Sequence, residues 1–158
     1  MRNAVACILA LGVLALLGPT AAQLLEKKAL SLEAARKMVA AAEAEAQRNN
    51  WRGVVAVVDD GGWIILLERM DHAALTASVE LAPGKARAAA LFKKPTEALE
   101  DEINHGRYAA ITARGFIEMQ GGLPVVVDGE VIGGIGASFA TPEEDEQVAK
   151  AGLAALRE

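Results

Sequence analysis

One pattern occurs twice in this chain, and it limits the possible folds more than any other feature. Val54-Val55-Ala56-Val57-Val58 runs into Asp59-Asp60-Gly61-Gly62 and then Trp63-Ile64-Ile65-Leu66-Leu67. Later, Leu123–Val127 runs into Asp128-Gly129 and then Val131–Phe139. Two β-rich runs joined by an Asp-Gly turn form an antiparallel hairpin. None of these runs alternates apolar with polar residues, and continuously apolar strands are usually buried on both faces. The pattern therefore predicts helices on both sides of a sheet. Hairpins at both ends argue against a Rossmann-type order, in which parallel strands are separated by helices.

The helices can be read around these hairpins. Ser31 can cap a first one, with Leu32, Ala35, Val39, Ala42 and Ala46 on its apolar face. Glu33, Arg36, Lys37, Glu43 and Gln47 take the other face, and Asn49-Asn50 suit its end. Between the hairpins, Thr76–Ala82 reads as a short helix, and Pro83 starts a second that carries Lys85, Arg87 and the alanines after it. A third opens at Pro95-Thr96 and reaches about Ile103. Residues 104–114 stay open between loop and helix, and Gly115–Met119 reads as a fifth strand. Thr141-Pro142-Glu143-Glu144 is a strong helix start, with a capping threonine, a first-turn proline and acids at the positive end of the dipole. That last helix is predicted to reach about Leu156, with Val148, Ala149, Leu153 and Leu156 inward. The predicted class is α/β (α+β): one domain over 31–158, an α/β/α sandwich around an antiparallel sheet of about five strands, after a polar lead-in at 23–30.

The N-terminus carries an export pattern. Arg2 precedes the uncharged run Ala4–Leu17, Gly18-Pro19 breaks it, and Thr20-Ala21-Ala22 supplies small residues for cleavage. The run is shorter than the roughly 20 residues that span a bilayer as a helix. Residues 1–22 are therefore expected to be a cleaved signal peptide, leaving a periplasmic or secreted protein with no membrane anchor. Cys7 is the only cysteine and would leave with the signal. A thiol-free mature chain excludes a disulfide scaffold, thiol redox chemistry, a cysteine protease and a zinc–thiolate site. The net charge of −5, without a basic cluster, argues against nucleic acid as a partner.

Candidate chemistry is sparse. His72, in Arg69-Met70-Asp71-His72-Ala73, can serve as a metal or haem-iron ligand or be an exposed loop histidine. His105, in Asn104-His105-Gly106-Arg107-Tyr108, has the same two readings. Beside it, Arg107 can pair a propionate or another carboxylate, and Tyr108 can stack or ligate. Neither histidine has the H-x-x-x-H or H-x-E spacing of a zinc hydrolase. Ser31, Ser78 and Ser138 lack a nucleophile-elbow context. Gly133-Gly134-Ile135-Gly136 lies within a strand and fails as a phosphate loop; its glycines instead let another backbone, a neighbouring helix or a flat ligand approach the sheet closely. Pro83-Gly84-Lys85 lacks the first glycine of a P-loop, and the acidic runs Asp101-Glu102 and Glu143–Glu146 read as solvated faces. Met38, Met70 and Met119 can supply sulfur but more often fill cores. No catalytic constellation is visible, and the pattern suits a binding protein better than an enzyme.

Five segments in order carry a resemblance: Val57–Gly62, Arg69-Met70-Asp71 with Ala73, Gly84-Lys85-Ala86-Arg87 with Ala89, Gly121–Val125 and Val131–Ser138. Together they resemble the GlcG/HbpS-like family, which includes the C-terminal domain of PduO-type proteins, over roughly Leu30 to Leu156. The resemblance implies a profilin-like three-layer α/β/α sandwich, homo-oligomers, and haem binding with roles in haem or iron handling or redox sensing. His72 stands where the family often has glycine, and Phe139 where glycine is common after Ser138. The resulting expectation is an exported protein that binds haem b non-covalently. His105 or His72 would ligate the iron, and Arg107, Arg69, Lys85 or Arg87 would meet the propionates. The alternatives are a haem-free accessory protein of small organic acid or corrinoid metabolism, and an interaction module that only oligomerises.

Overall fold

A computed structural model describes residues 24–156. The expected signal peptide and Cys7 lie outside the described residues. Helix α1 spans Leu32–Arg48 and is capped as expected, with the Ala34 amide donating to Ser31 Oγ at 3.0 Å. Strands β1 (Val54–Asp59) and β2 (Ile64–Arg69) form the first hairpin. Asp59 builds its turn: Oδ1 accepts from the Gly61 amide at 2.9 Å and the Trp63 amide at 2.8 Å. Helices α2 (Ser78–Phe92) and α3 (Thr96–Asn104) follow, then a 3₁₀ turn at Tyr108–Thr112. Strands β3 (Gly122–Val127) and β4 (Glu130–Ser138) make the second hairpin. Asp128 and Gly129 at its tip both have positive φ, 50° and 81°, as a type I′ hairpin turn requires. Helix α4, Pro142–Ala154, begins at the Thr141 cap.

The sheet order is β2-β1-β4-β3, antiparallel throughout. Helix α2 lies on one face; α1 and α4 cover the other. Strand β1 explains its unbroken valine run. Val55 and Val57 join the core beneath α1 and α4. Val54 and Ala56 pack toward Ala82 of α2, and Val58 toward Ala86 and Ala90. The whole run is buried.

Four expectations need correction. Among the described residues the sheet has four strands, not five. Gly115–Met119 forms no ladder, because it lies over α2, where the Ile117 amide reaches the Gly84 carbonyl at 3.4 Å. Positive φ at Gly115 (86°) and Gly121 (115°) turns the chain at both ends of this segment. Strand β2 is not buried on both faces: as an edge strand it is half-buried to exposed along its length. Pro83 does not divide two helices. Helix α2 runs through it, forgoing one backbone hydrogen bond while its alanine face stays seated on the sheet. Finally, α4 stops at Ala154, short of Leu156.

That seating depends on missing side chains. A Cβ on Gly134 would run into the Ala86 carbonyl oxygen, and one on Gly136 into that of Ala82. The glycines therefore bring the backbone of α2 close against β4, as read from the sequence. This fixes α2 as a rigid floor for whatever lies on its outer side.

Candidate functional site

On that outer side, a cleft of about 650 Å³ opens between the first hairpin turn, α2 and the segment over α2. Trp63 and Ile64 form one wall, Phe116 and Ile117 the other, and Pro83 and Arg87 lie on α2 between them. Each wall has a local cause. The turn made by Asp59, with Gly62 at φ 78°, ends the hairpin so that Trp63 is left 70% exposed. Ile117 lies against Gly84, where a Cβ would collide with its side chain. Phe116 is braced edge-on by Phe92, with ring centres 4.9 Å apart at 61°.

Arg87 supplies the charge. Its guanidinium carbon lies 5.6 Å from the centre of the Trp63 ring and 5.6 Å from that of Phe116. Nη1 donates to the Gly62 carbonyl at 3.2 Å. A guanidinium carries five N–H donors, so one bond leaves others available. Stacking against aromatic rings holds such a cation in place and limits the entropy lost on binding. Glu80 is the other charged residue of the lining. An apolar slot with one fixed cation suits a flat, largely apolar ligand that carries carboxylate groups.

Of the residues singled out from the sequence, Arg87 alone lines this cleft. Lys85, expected to meet a propionate, is instead 1% exposed, and its Nζ lies 2.5 Å from Asp145 Oδ2. Burial raises the Asp145 carboxyl above its ordinary range, and the Lys85 ammonium and Phe139 amide offset that only in part. Arg69 sits at the far end of β2 from Trp63, exposed. His72 occupies the exposed loop after β2 with φ 62°, beside a shallow polar depression shared with Glu43, Gln47, Arg52, Met70 and Asp71. His105 closes α3; its side chain is 76% exposed, and Nδ1 lies 2.8 Å from the Asp101 carbonyl oxygen. Arg107 pairs with Glu102 at 2.8 Å, and Lys94 reaches the same carboxylate at 2.7 Å. Lys94 foremost, with Arg107, holds the Glu102 carboxyl below its usual range. Tyr108 begins the 3₁₀ turn, 66% exposed. The structure thus separates the two histidines from each other and from the cleft.

Sequence reasoning missed Trp63, Phe116 and Glu80. Trp63 left a readable sign: a bulky aromatic directly after an Asp-Gly-Gly turn, where a chain leaving a hairpin tip is exposed. Phe116 left none, since its segment resembled a strand. Ser138 donates to Ser78 at 3.0 Å in the interior, which accounts for both serines as structural. Among the described residues, no three His, Cys, Asp or Glu side chains converge to hold a metal ion.

Comparison with known proteins agrees with this architecture. Residues 30–154 match the family model described as "Haem degrading protein HbpS-like". The chain is 45% identical over 112 residues to Protein GlcG of Escherichia coli (strain K12), covering 71% of this chain and 83% of that one. The crystal structure of a double mutant of Streptomyces reticuli HbpS superposes with a TM-score of 0.80 at 34% identity, over 88% of this chain and 97% of that chain. The crystal structure of a PduOC:Heme complex gives a TM-score of 0.75 at 32% identity, over 81% of this chain and 95% of that chain. An α+β fold of four helices on a four-stranded antiparallel sheet, matched over nearly its whole described length, makes this chain a member of the HbpS-like family.

Proposed function

We propose that this protein binds haem b non-covalently in the cleft between Trp63 and Phe116. The observation that carries the reading is Arg87, a stacked cation at the base of an apolar slot. It would meet a propionate while the walls take the porphyrin face. The volume of about 650 Å³ lies within the ordinary range for small-molecule sites, about 300–1,000 Å³. A haem complex among the structural relatives, and a family described by haem degradation, support haem as the ligand class. The fit to the ring and its carboxylates is good. For the iron the lining holds none of the usual haem ligands, and its one side-chain oxygen donor is the Glu80 carboxylate. With Glu80 and Arg87 as the only charged groups there, we read the protein as a binder and not a catalyst. We further read it as exported through residues 1–22 to the periplasm or beyond, and as a homo-oligomer whose copies meet at the exposed apolar side chains of Tyr108, Ile111 and Met119.

Haemin titration tests this. A Soret band is expected, and Trp63→Ala should weaken binding by about tenfold or more, the cost of losing one stacked ring plus its buried area. His72→Ala and His105→Ala should leave the spectrum unchanged. A Soret band altered by either histidine variant would move the site away from the cleft. No band with any variant would end the haem reading.

A further inference from the structure

The cleft is unequally equipped for the parts of a haem. For the ring it has two aromatic walls with Ile64, Pro83 and Ile117. For a carboxylate it has Arg87, already oriented by Gly62, Trp63 and Phe116. For iron it has neither imidazole, thioether nor phenol. His72 and His105 lie elsewhere, Tyr108 stands at the 3₁₀ turn, and Met70 lines the polar depression beside His72. Haem iron in proteins is held by histidine, cysteine, methionine or tyrosine. Glu80 offers a harder oxygen donor and is itself exposed to water.

We infer that the cleft recognises the porphyrin plane and its carboxylates and not the metal, so that metal-free dicarboxylic porphyrins bind about as tightly as haem. This rests on the cleft being the haem site, and it adds a ligand class: the protein is a receptor for carboxylated tetrapyrroles whether or not iron is present. The physical basis is additive. Stacking and apolar burial are the same for both rings, and a bidentate guanidinium–carboxylate pair is indifferent to what sits at the ring centre.

The test uses the whole folded chain with three probes: haemin followed by its Soret difference spectrum, and protoporphyrin IX and its dimethyl ester followed by emission anisotropy. Protoporphyrin IX should match haemin in Kd within about threefold, and the ester should bind about tenfold or more weaker, the loss expected for one charged hydrogen-bonded pair. Arg87→Met, which keeps the stem against the rings, should shrink the gap between acid and ester. Haemin binding with protoporphyrin about a hundredfold weaker would overturn the inference and leave the haem reading standing. Equal binding of acid and ester would overturn the role of Arg87. Binding of neither haemin nor protoporphyrin would remove both readings together.

Discussion

Lys85 and Arg87 are two residues apart on one helix and have opposite fates. Positions i and i+2 point to different sides of a helix. Lys85 shares its stripe with Ala82 and Ala89, three before and four after it, and is buried with them; Arg87 turns to the cleft. That phase was readable in the sequence, but the destination of Lys85 was not, because Asp145 belongs to an acidic first turn that locally looks solvated. Glu43 gives a residue-scale prediction. Burial, and then the charge of Glu68 and a hydrogen bond with it, raise the Glu43 carboxyl above its usual range. The folded chain therefore holds this proton more tightly than the unfolded chain. The stabilisation is present at low pH and is lost as pH rises through the folded value. Glu43→Gln should raise the thermal midpoint at pH 7, by a few tenths of a kcal/mol in stability because water screens a half-exposed pair, and should gain nothing at pH 4. Thermal melts at the two pH values decide it.

Among the elements, α2 carries most of the design. It is an alanine-rich helix pressed onto a glycine-thinned strand, so close that methyl groups have nowhere to go. Gly134→Ala and Gly136→Ala should each cost about 1–3 kcal/mol by overpacking, seen as a lower urea midpoint with an unchanged slope. A midpoint equal to that of the parent would mean that α2 can lift at no cost. Both hairpins were legible because their turns and strands are specified locally, by Asp59-Asp60-Gly61-Gly62 and Asp128-Gly129. Gly115–Met119 was misread because a strand is defined by its partner, and no partner edge is encoded within the segment. Strand β2 was misread as doubly buried for a related reason. Its apolar run matches that of β1, and only the order of the strands shows which of the two lies at the edge.

At the level of the whole molecule, the Lys85–Asp145 pair joins the two helical layers. Lys85 stands on α2 and Asp145 on α4, beside Gly121, the residue before β3, where a Cβ would strike Asp145. Lys85→Met alone should destabilise by about 3–5 kcal/mol, since it strands a buried carboxylate; adding Asp145→Leu should recover most of that. Equilibrium denaturation of both variants measures the difference, and a double variant no better than the single would show that the pair is not the link. Of the candidate site, the sequence disclosed Arg87 and the family. The rest of the cleft depended on two segments far apart in the chain meeting over one helix. That division has a kinetic consequence. The floor of the cleft is locked to the sheet, whereas its rims are a hairpin turn and a stretch without regular structure. Opening of the rims belongs to loop motion, on the nanosecond-to-microsecond scale, while the contacts made with a guest set how long it stays. Meanwhile, the amides of β1 and β4 would remain closed to exchange with water. A guest in such a cleft would come and go without unfolding any part of the core.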